Sequence, residues 1–157
     1  MNARVISGRE VAEKILSNDL RSRVEKLKDK NIVPKLVVIL VGEVKASASY
    51  VAQKEKFAGK AGIESEVRRF EDSISEQEIL SEVNQINSDS SIHGVIVQLP
   101  LPKHISVTKV LNSIDPSKDV DGFTPSNVGK LFLGEDTLVS CTPKGIMSIL
   151  HSADIDL

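Results

Sequence analysis

The chain has 157 residues, 40% hydrophobic and 27% charged, with 20 basic against 22 acidic side chains and a formal net charge of −2. That apolar content excludes a disordered chain, and the balanced charge, with no Lys/Arg block, argues against a nucleic-acid partner. Aromatics make up only 3%, with no Trp and one Tyr, too few for a base-stacking platform.

In chain order, the opening segment ARVIS reads as a short strand. Val11, Ile15, Leu16, Leu20, Val24 and Leu27 then recur at helical spacing over residues 9–30. Ser7 with Glu10 forms a capping box at the start of that helix, and Asn31 followed by Pro34 ends it. LVVILVG (36–42) is a continuous, largely β-branched run, as in strands buried on both faces of a parallel sheet. A helix over 47–61 stops at Gly62 in a left-handed cap. Residues 64–70 form a more polar strand near the sheet edge. Ser75 and Glu78 cap a helix whose Ile79, Leu80, Val83 and Ile86 share one stripe. GVIVQLP (94–100) is the other buried strand, and residues 105–114 form a further helix. From Asp115 onward the chain turns rich in turn formers and nearly free of periodicity, until Thr142-Pro143 starts a last helix.

Strands alternating with helices predict an α/β fold: a three-layer domain with a mostly parallel sheet covered by helices on both faces. Its longest apolar run, 36–42, is far short of the roughly 20 residues that span a bilayer. The first ten residues lack a signal-peptide core, so a cytoplasmic protein with no membrane partner is expected. Three histidines and the single Cys141 have no metal-ligand spacing, and no metal is expected.

In such folds ligands sit beyond the carboxyl ends of the strands. Tyr50 and Lys54, four apart on a helix that begins there, share a face. A lysine at that place can act as a general base, or it can be a surface residue laying its stem on the ring. Gln98 closes an apolar strand, and its amide must find a partner, either that lysine or a loop backbone. Asp119 and Asp121 in KDVDGF can cap turns, or one carboxylate can accept two parallel hydrogen bonds from an amidine-like edge. Cys141 precedes a helix start with no base beside it in sequence, which reads as structural. No glycine-rich phosphate loop is present.

Four segments together carry a resemblance. VGEVKASASYVAQKEKFAGKAGI is similar to V-G-x-x-P-A-S-x-x-Y-V-x-x-K-x-K-A-x-x-x-x-G-I, the first signature of the bifunctional methylenetetrahydrofolate dehydrogenase/methenyltetrahydrofolate cyclohydrolase family. GVIVQLPLP, KDVDGFTPSNVGKLFLG and SCTPKG resemble three further segments of that family, in the same order across nearly the whole chain.

The resemblance implies a folate substrate oxidised with NADP and then hydrolysed to 10-formyltetrahydrofolate. It assigns Lys54 as catalytic, Tyr50 as a stacking partner of the folate, Gln98 as the hydrogen-bond partner of Lys54, and Asp121 as the holder of the pterin edge. Ser47 and Leu99 would line the site. It also implies a folate-binding catalytic domain over 1–122, with 123–157 a loop and connecting helix leading toward an NADP-binding domain outside these residues. The larger enzyme would be a homodimer. The alternative is a folate-binding piece that turns nothing over alone. Lys45 and Ser140 stand where the family has Pro, in segments read as loops that their replacement should loosen.

Overall fold

The computed structural model describes residues 5–42 and 45–155; of residues 45–48 it describes the backbone alone. Three parallel strands, β1 (Lys35–Val41), β2 (Glu64–Phe70) and β3 (Gly94–Val97), form a sheet in the order β2-β1-β3. Val38 of β1 lies level with Val67 of β2 on one side and Ile96 of β3 on the other.

Because successive side chains of a strand point to opposite faces, the unbroken apolar run of β1 supplies two cores at once. Val37, Ile39 and Val41 pack with Val95 and Val97 against Ile79, Val83 and Ile86 of α4 (Glu76–Ser88) and Val110 of α5 (Val107–Ser113). Val38, Leu40 and Ile96 meet Val51 of α3 (Lys45–Ala61) on the reverse face. Helices thus cover both sides, giving the expected three-layer α/β architecture. The strand expected of ARVIS is not found: residues 5–7 have no regular structure, and residues 3 and 4 lie outside the described residues.

The single helix expected over 9–30 is interrupted. α1 (Gly8–Ile15) and α2 (Arg21–Lys28) are joined through a π-helical turn, Leu16–Leu20. Ser17 Oγ donates to Lys14 O, and Ser22 Oγ donates to Asp19 O. Such local side-chain bonds compete with the regular backbone ladder and leave the hydrophobic spacing unchanged, so periodicity is blind to them. Ser7 caps α1 by accepting from Glu10 N, and Asn31 (φ 59°) ends α2. At α4 the complete Ser75/Glu78 capping box forms as expected.

Two corrections concern the stretch after Asp115. It contains an additional helix, α6 (Pro125–Phe132), with Thr124 at its N-cap and Pro125 in its first turn. The last helix, α7 (Cys141–Ser152), begins at Cys141 with Ser140 as N-cap, slightly before Thr142-Pro143. Lys45 likewise opens α3 and does not lie in a loop. Among the described residues no helix is long and apolar enough to cross a membrane.

Candidate active site

α3 leaves the carboxyl end of β1, and Gln98 follows the carboxyl end of β3, so the two meet where parallel sheets receive ligands. Gln98 keeps its backbone in the sheet by donating its N–H to Ile39 O at 2.9 Å. Its side chain is then held from both ends. Nε2 donates to Leu99 O at 3.1 Å, and Oε1 accepts from Lys54 Nζ at 3.2 Å. That settles the orientation of the amide: the oxygen faces the lysine. The backbone carbonyl of Leu99 therefore helps aim the amide. Tyr50, one turn before Lys54 on α3, is 67% exposed. Ser47 lies in the first turns of α3, but its side chain is outside the described residues.

The opposite wall is the stretch after Asp115, where periodicity is weakest. Lys118 Nζ donates to the carbonyls of Ile86, Asn87 and Asp89, anchoring it to the end of α4. Val95 N donates to Lys118 O, and Asp119 forms a parallel bridge with Val95, so the chain here runs alongside β3. Two residues later, toward the end of the sheet that carries Gln98, comes Asp121.

The two acids of KDVDGF have separate tasks. Asp119 is only 1% exposed; its Oδ2 accepts from Thr124 N at 2.7 Å and Asn127 Nδ2 at 2.9 Å. Burial opposes its charge, yet hydrogen bonds from Thr124, Asn127 and the Phe123 backbone outweigh that and hold the carboxyl below the usual range. Asn127 extends the knot by donating to Pro116 O and accepting from Thr137 Oγ1. Asp121 is half-buried, and desolvation raises its pKa above the ordinary value. The Lys54 charge pulls it back, the Asp119 charge pushes it further up, and a hydrogen bond with Cys141 lowers it. Asp119 therefore takes the turn-capping role, and Asp121 is left half-buried within reach of the Lys54 charge.

Cys141, read from sequence as structural, belongs to this cluster. Its Sγ donates to Val120 O at 3.3 Å. Desolvation and the Asp121 charge raise its thiol pKa, with Lys54 and Lys144 opposing. No base adjoins it in sequence, so only the folded loop could reveal its neighbours.

Lys54, Gln98, Asp121 and Cys141 are thus gathered at one end of the sheet, with Tyr50 one helical turn away. A hydrogen-bonded amine facing a half-buried carboxylate can bind a polar heterocycle and move a proton at an atom held between them. The sequence profile of the tetrahydrofolate dehydrogenase/cyclohydrolase catalytic domain matches residues 6–121. All 157 residues align at 50% identity with the bifunctional protein FolD of Staphylococcus aureus strain MRSA252, covering 54% of that protein. The crystal structure of FolD methylenetetrahydrofolate dehydrogenase/cyclohydrolase from Campylobacter jejuni superposes with a TM-score of 0.94 at 43% identity, over 98% of this chain and 54% of that one. The Trypanosoma brucei enzyme, solved with NADP cofactor and inhibitor, gives 0.92 at 33% identity, over 98% and 53%. The chain spans about half the length of these relatives. On the profile match, and on a fold shared from end to end, it belongs to the tetrahydrofolate dehydrogenase/cyclohydrolase family and carries that family's catalytic domain.

Proposed function

We propose that this chain supplies the folate site at which methylenetetrahydrofolate is oxidised with NADP and the methenyl product is hydrolysed to 10-formyltetrahydrofolate. The observation that carries the reading is the 3.2 Å hydrogen bond from Lys54 Nζ to Gln98 Oε1, with the Lys54 charge acting on the Asp121 carboxyl. In this reading residues 1–122 are the folate-binding catalytic domain, and 123–157 lead toward an NADP-binding domain of the larger enzyme.

Folate presents an amidine-like pterin edge, and Asp121 accepts its two parallel N–H bonds. Tyr50 lies against the ring system, and Ser47 and Leu99 line the cleft. The methenyl carbon is electron-poor and is attacked by water. Lys54 Nζ, held by Gln98 Oε1, is the group placed to take the proton from that water. The resulting ammonium is held by Gln98 Oε1 and by the nearby Asp121 charge. A positioned base of this kind contributes about 10²–10⁴-fold in rate.

NADP does not fit the described residues themselves. Of the glycines in left-handed conformation, Gly62 and Gly134 follow helix ends, and Gly122 is closed off by the backbone of Leu138 and Ser140. Gly42 faces the carboxylate of Asp72, which would repel a pyrophosphate. The cofactor therefore belongs mainly to the NADP-binding domain of the larger enzyme, and this chain's own part in the chemistry is to hold the folate and handle its proton. Exposed Leu131, Phe132 and Leu133 on and just after α6, and Ile146 on α7, are apolar surface of the kind that association covers. They support association into a homodimer as the working enzyme.

The test is methenyltetrahydrofolate hydrolysis, followed by absorbance at neutral pH, for this chain and its Lys54→Met variant. The variant is expected to lose at least about 10²-fold in rate while its melting temperature changes little, because only one half-buried hydrogen bond is removed. Equal rates in the two proteins, both above the uncatalysed one, would overturn the reading. Saturable folate binding without turnover in either would leave the alternative, a binding piece that needs its second domain for chemistry.

A further inference from the structure

The side-chain amide of Gln98 is aimed by Leu99 O, so whatever fixes that carbonyl also fixes the acceptor of Lys54. Leu99 lies in a segment without regular structure, residues 98–106, that joins β3 to α5. Pro100 and Pro102 within it have a locked φ and no N–H to bond, so the segment is stiff along its length but must be fastened from outside. Part of the fastening is apolar: Leu101 packs against the core, and Ile105 is buried in it. The rest is polar and comes from one place, the start of α4. His104 Nε2 lies 2.8 Å from Ile74 O; a carbonyl only accepts, so that nitrogen carries the hydrogen and donates. Two residues on, Ser106 N donates to Glu76 Oε2 at 2.8 Å, while Glu76 Oε1 accepts from Lys109 Nζ of α5 at 2.6 Å.

We propose that Glu76 and His104 are positioning residues for Lys54: they clasp the 98–106 segment to the start of α4, and the stiff stretch 99–102 carries that anchorage to the Gln98 amide and through it to the lysine. The inference deepens the folate reading and rests on it for the identity of the reaction. The clasp itself stands on its hydrogen bonds. Glu76 belongs to the helix layer on one face of the sheet and Lys54 to the layer on the other, and the segment connects them over the end of β3. Glu76 lies in the first turn of α4, where the helix dipole favours a carboxylate. Lys109 and the Ser106 N–H hold its carboxyl below the usual range, so it stays a charged acceptor at neutral pH.

Two readouts test the clasp, and one of them needs no substrate. In proton–nitrogen correlation spectra the Gln98 side-chain amide pair is identified by its loss in Gln98→Ala. In Glu76→Ala that pair should move toward the position of a free glutamine side chain. Glu76→Gln, which keeps an oxygen for Ser106 N, should bring it back. His104→Ala should move it in the same direction as Glu76→Ala, and it carries the reading alone if Glu76→Ala does not fold. Signals unmoved by these alanine variants, in chains that still melt cooperatively, overturn the proposal. In methenyltetrahydrofolate hydrolysis, Glu76→Ala should lower kcat about three- to tenfold with KM unchanged, the worth of one hydrogen bond in the barrier, and Glu76→Gln should restore it. The same Glu76→Ala change made in Gln98→Ala should cost nothing further, because the link is already cut. An equal loss in that background marks a merely structural effect and also overturns the proposal. If the unaltered chain hydrolyses nothing, it is the catalytic reading that fails, and the amide signals still decide whether Glu76 and His104 aim Gln98.

Discussion

The two walls of the cleft are held in place by different physics. On the α3 wall, Tyr50 and Lys54 are displayed by a regular helix whose Val51 is fully buried against the sheet. Their positions follow from helical spacing, and their side chains are half-buried or exposed. On the loop wall, Asp121 and Cys141 are placed by polar bonds and one glycine: the Lys118 anchor, the Asp119–Thr124–Asn127 knot and the Gly122 contact. Residues that act on the α3 wall should therefore be replaceable without cost to the fold. On the loop wall, the residues that do not touch substrate should be the costly ones.

The largest expected effect is Asp119→Ala. It leaves the Thr124 N–H and one of the two Asn127 Nδ2 hydrogens, the other still held by Pro116 O, without an acceptor. At about 1–3 kcal/mol for each buried group left unsatisfied, the loss should be about 4 kcal/mol in urea unfolding. Lys54→Met should cost far less. If the two variants unfold alike, the contrast between the walls collapses.

The same pair of acids separates by pH. The folded-state pKa of Asp119 is lowered, so its stabilisation is present above the unfolded carboxylate value near 3.9 and is lost as pH falls through the folded one. Asp121 is raised, so it has the opposite sign: its ionisation costs stability, and that cost sets in as pH rises through the unfolded value and is complete above the folded one. Asp119→Asn should remove part of the acid sensitivity of unfolding, whereas Asp121→Asn should stabilise the chain at neutral pH. A shared sign in the two stability profiles would show that the roles of the acids are not divided in this way.

Gly122→Ala comes next. The left-handed φ costs an L residue about 1–2 kcal/mol, and the new methyl would stand 2.6 Å from a backbone carbonyl that no side-chain rotation can move. A loss of about 2–3 kcal/mol follows, with the 138–141 segment lifted away from Asp121. Folate affinity should fall together with stability, which distinguishes this variant from Asp121→Asn. A chain that keeps normal affinity with an alanine there would show that the contact does not place Asp121.

Where the sequence was legible follows the same division. The buried strands, α3 and the α4 capping box rest on local pattern: continuous apolar runs, helical spacing and capping residues. For Gln98 the pattern left a lysine and a loop backbone open as partners; the resemblance alone pointed to Lys54, and the side chain meets both. α6 left little trace, because it buries no apolar stripe. Its Val128, Leu131 and Phe132 are exposed, and its one buried residue is Asn127. What orders it is the Thr124 cap, Pro125 and the Asn127 bonds, and the Thr-Pro pair was the only local sign of it. Nor could spacing separate Asp119 from Asp121. They are the same residue type two apart in an irregular turn, and their roles are set by Asn127 and Thr124 on one side and by Cys141 and Lys54 across the fold on the other. The π-helical turn was hidden for the opposite reason: the hydrophobic spacing runs straight through it.

The smallest expected effect tests whether the loop wall can be tightened as well as broken. Ser140 is the N-cap of α7, yet its side chain makes no cap hydrogen bond, so the hydroxyl contributes nothing to the helix start. Its φ is −50° and its ψ 132°, within the range a pyrrolidine ring imposes. Ser140→Pro should then remove freedom mainly from the unfolded chain and stabilise by about 0.4–1 kcal/mol, a rise of roughly 1–4 °C in melting temperature for a domain of this size. The risk is specific: Ser140 N lies 2.7 Å from where a Gly122 Cβ would be, so the ring must fit beside a residue that has no side chain to yield. If the melting temperature falls, the ring has displaced the Gly122 turn. If it rises, the 138–141 clamp tolerates a stiffer backbone, and the shape of the loop wall is set by its contacts and not by the flexibility of residue 140.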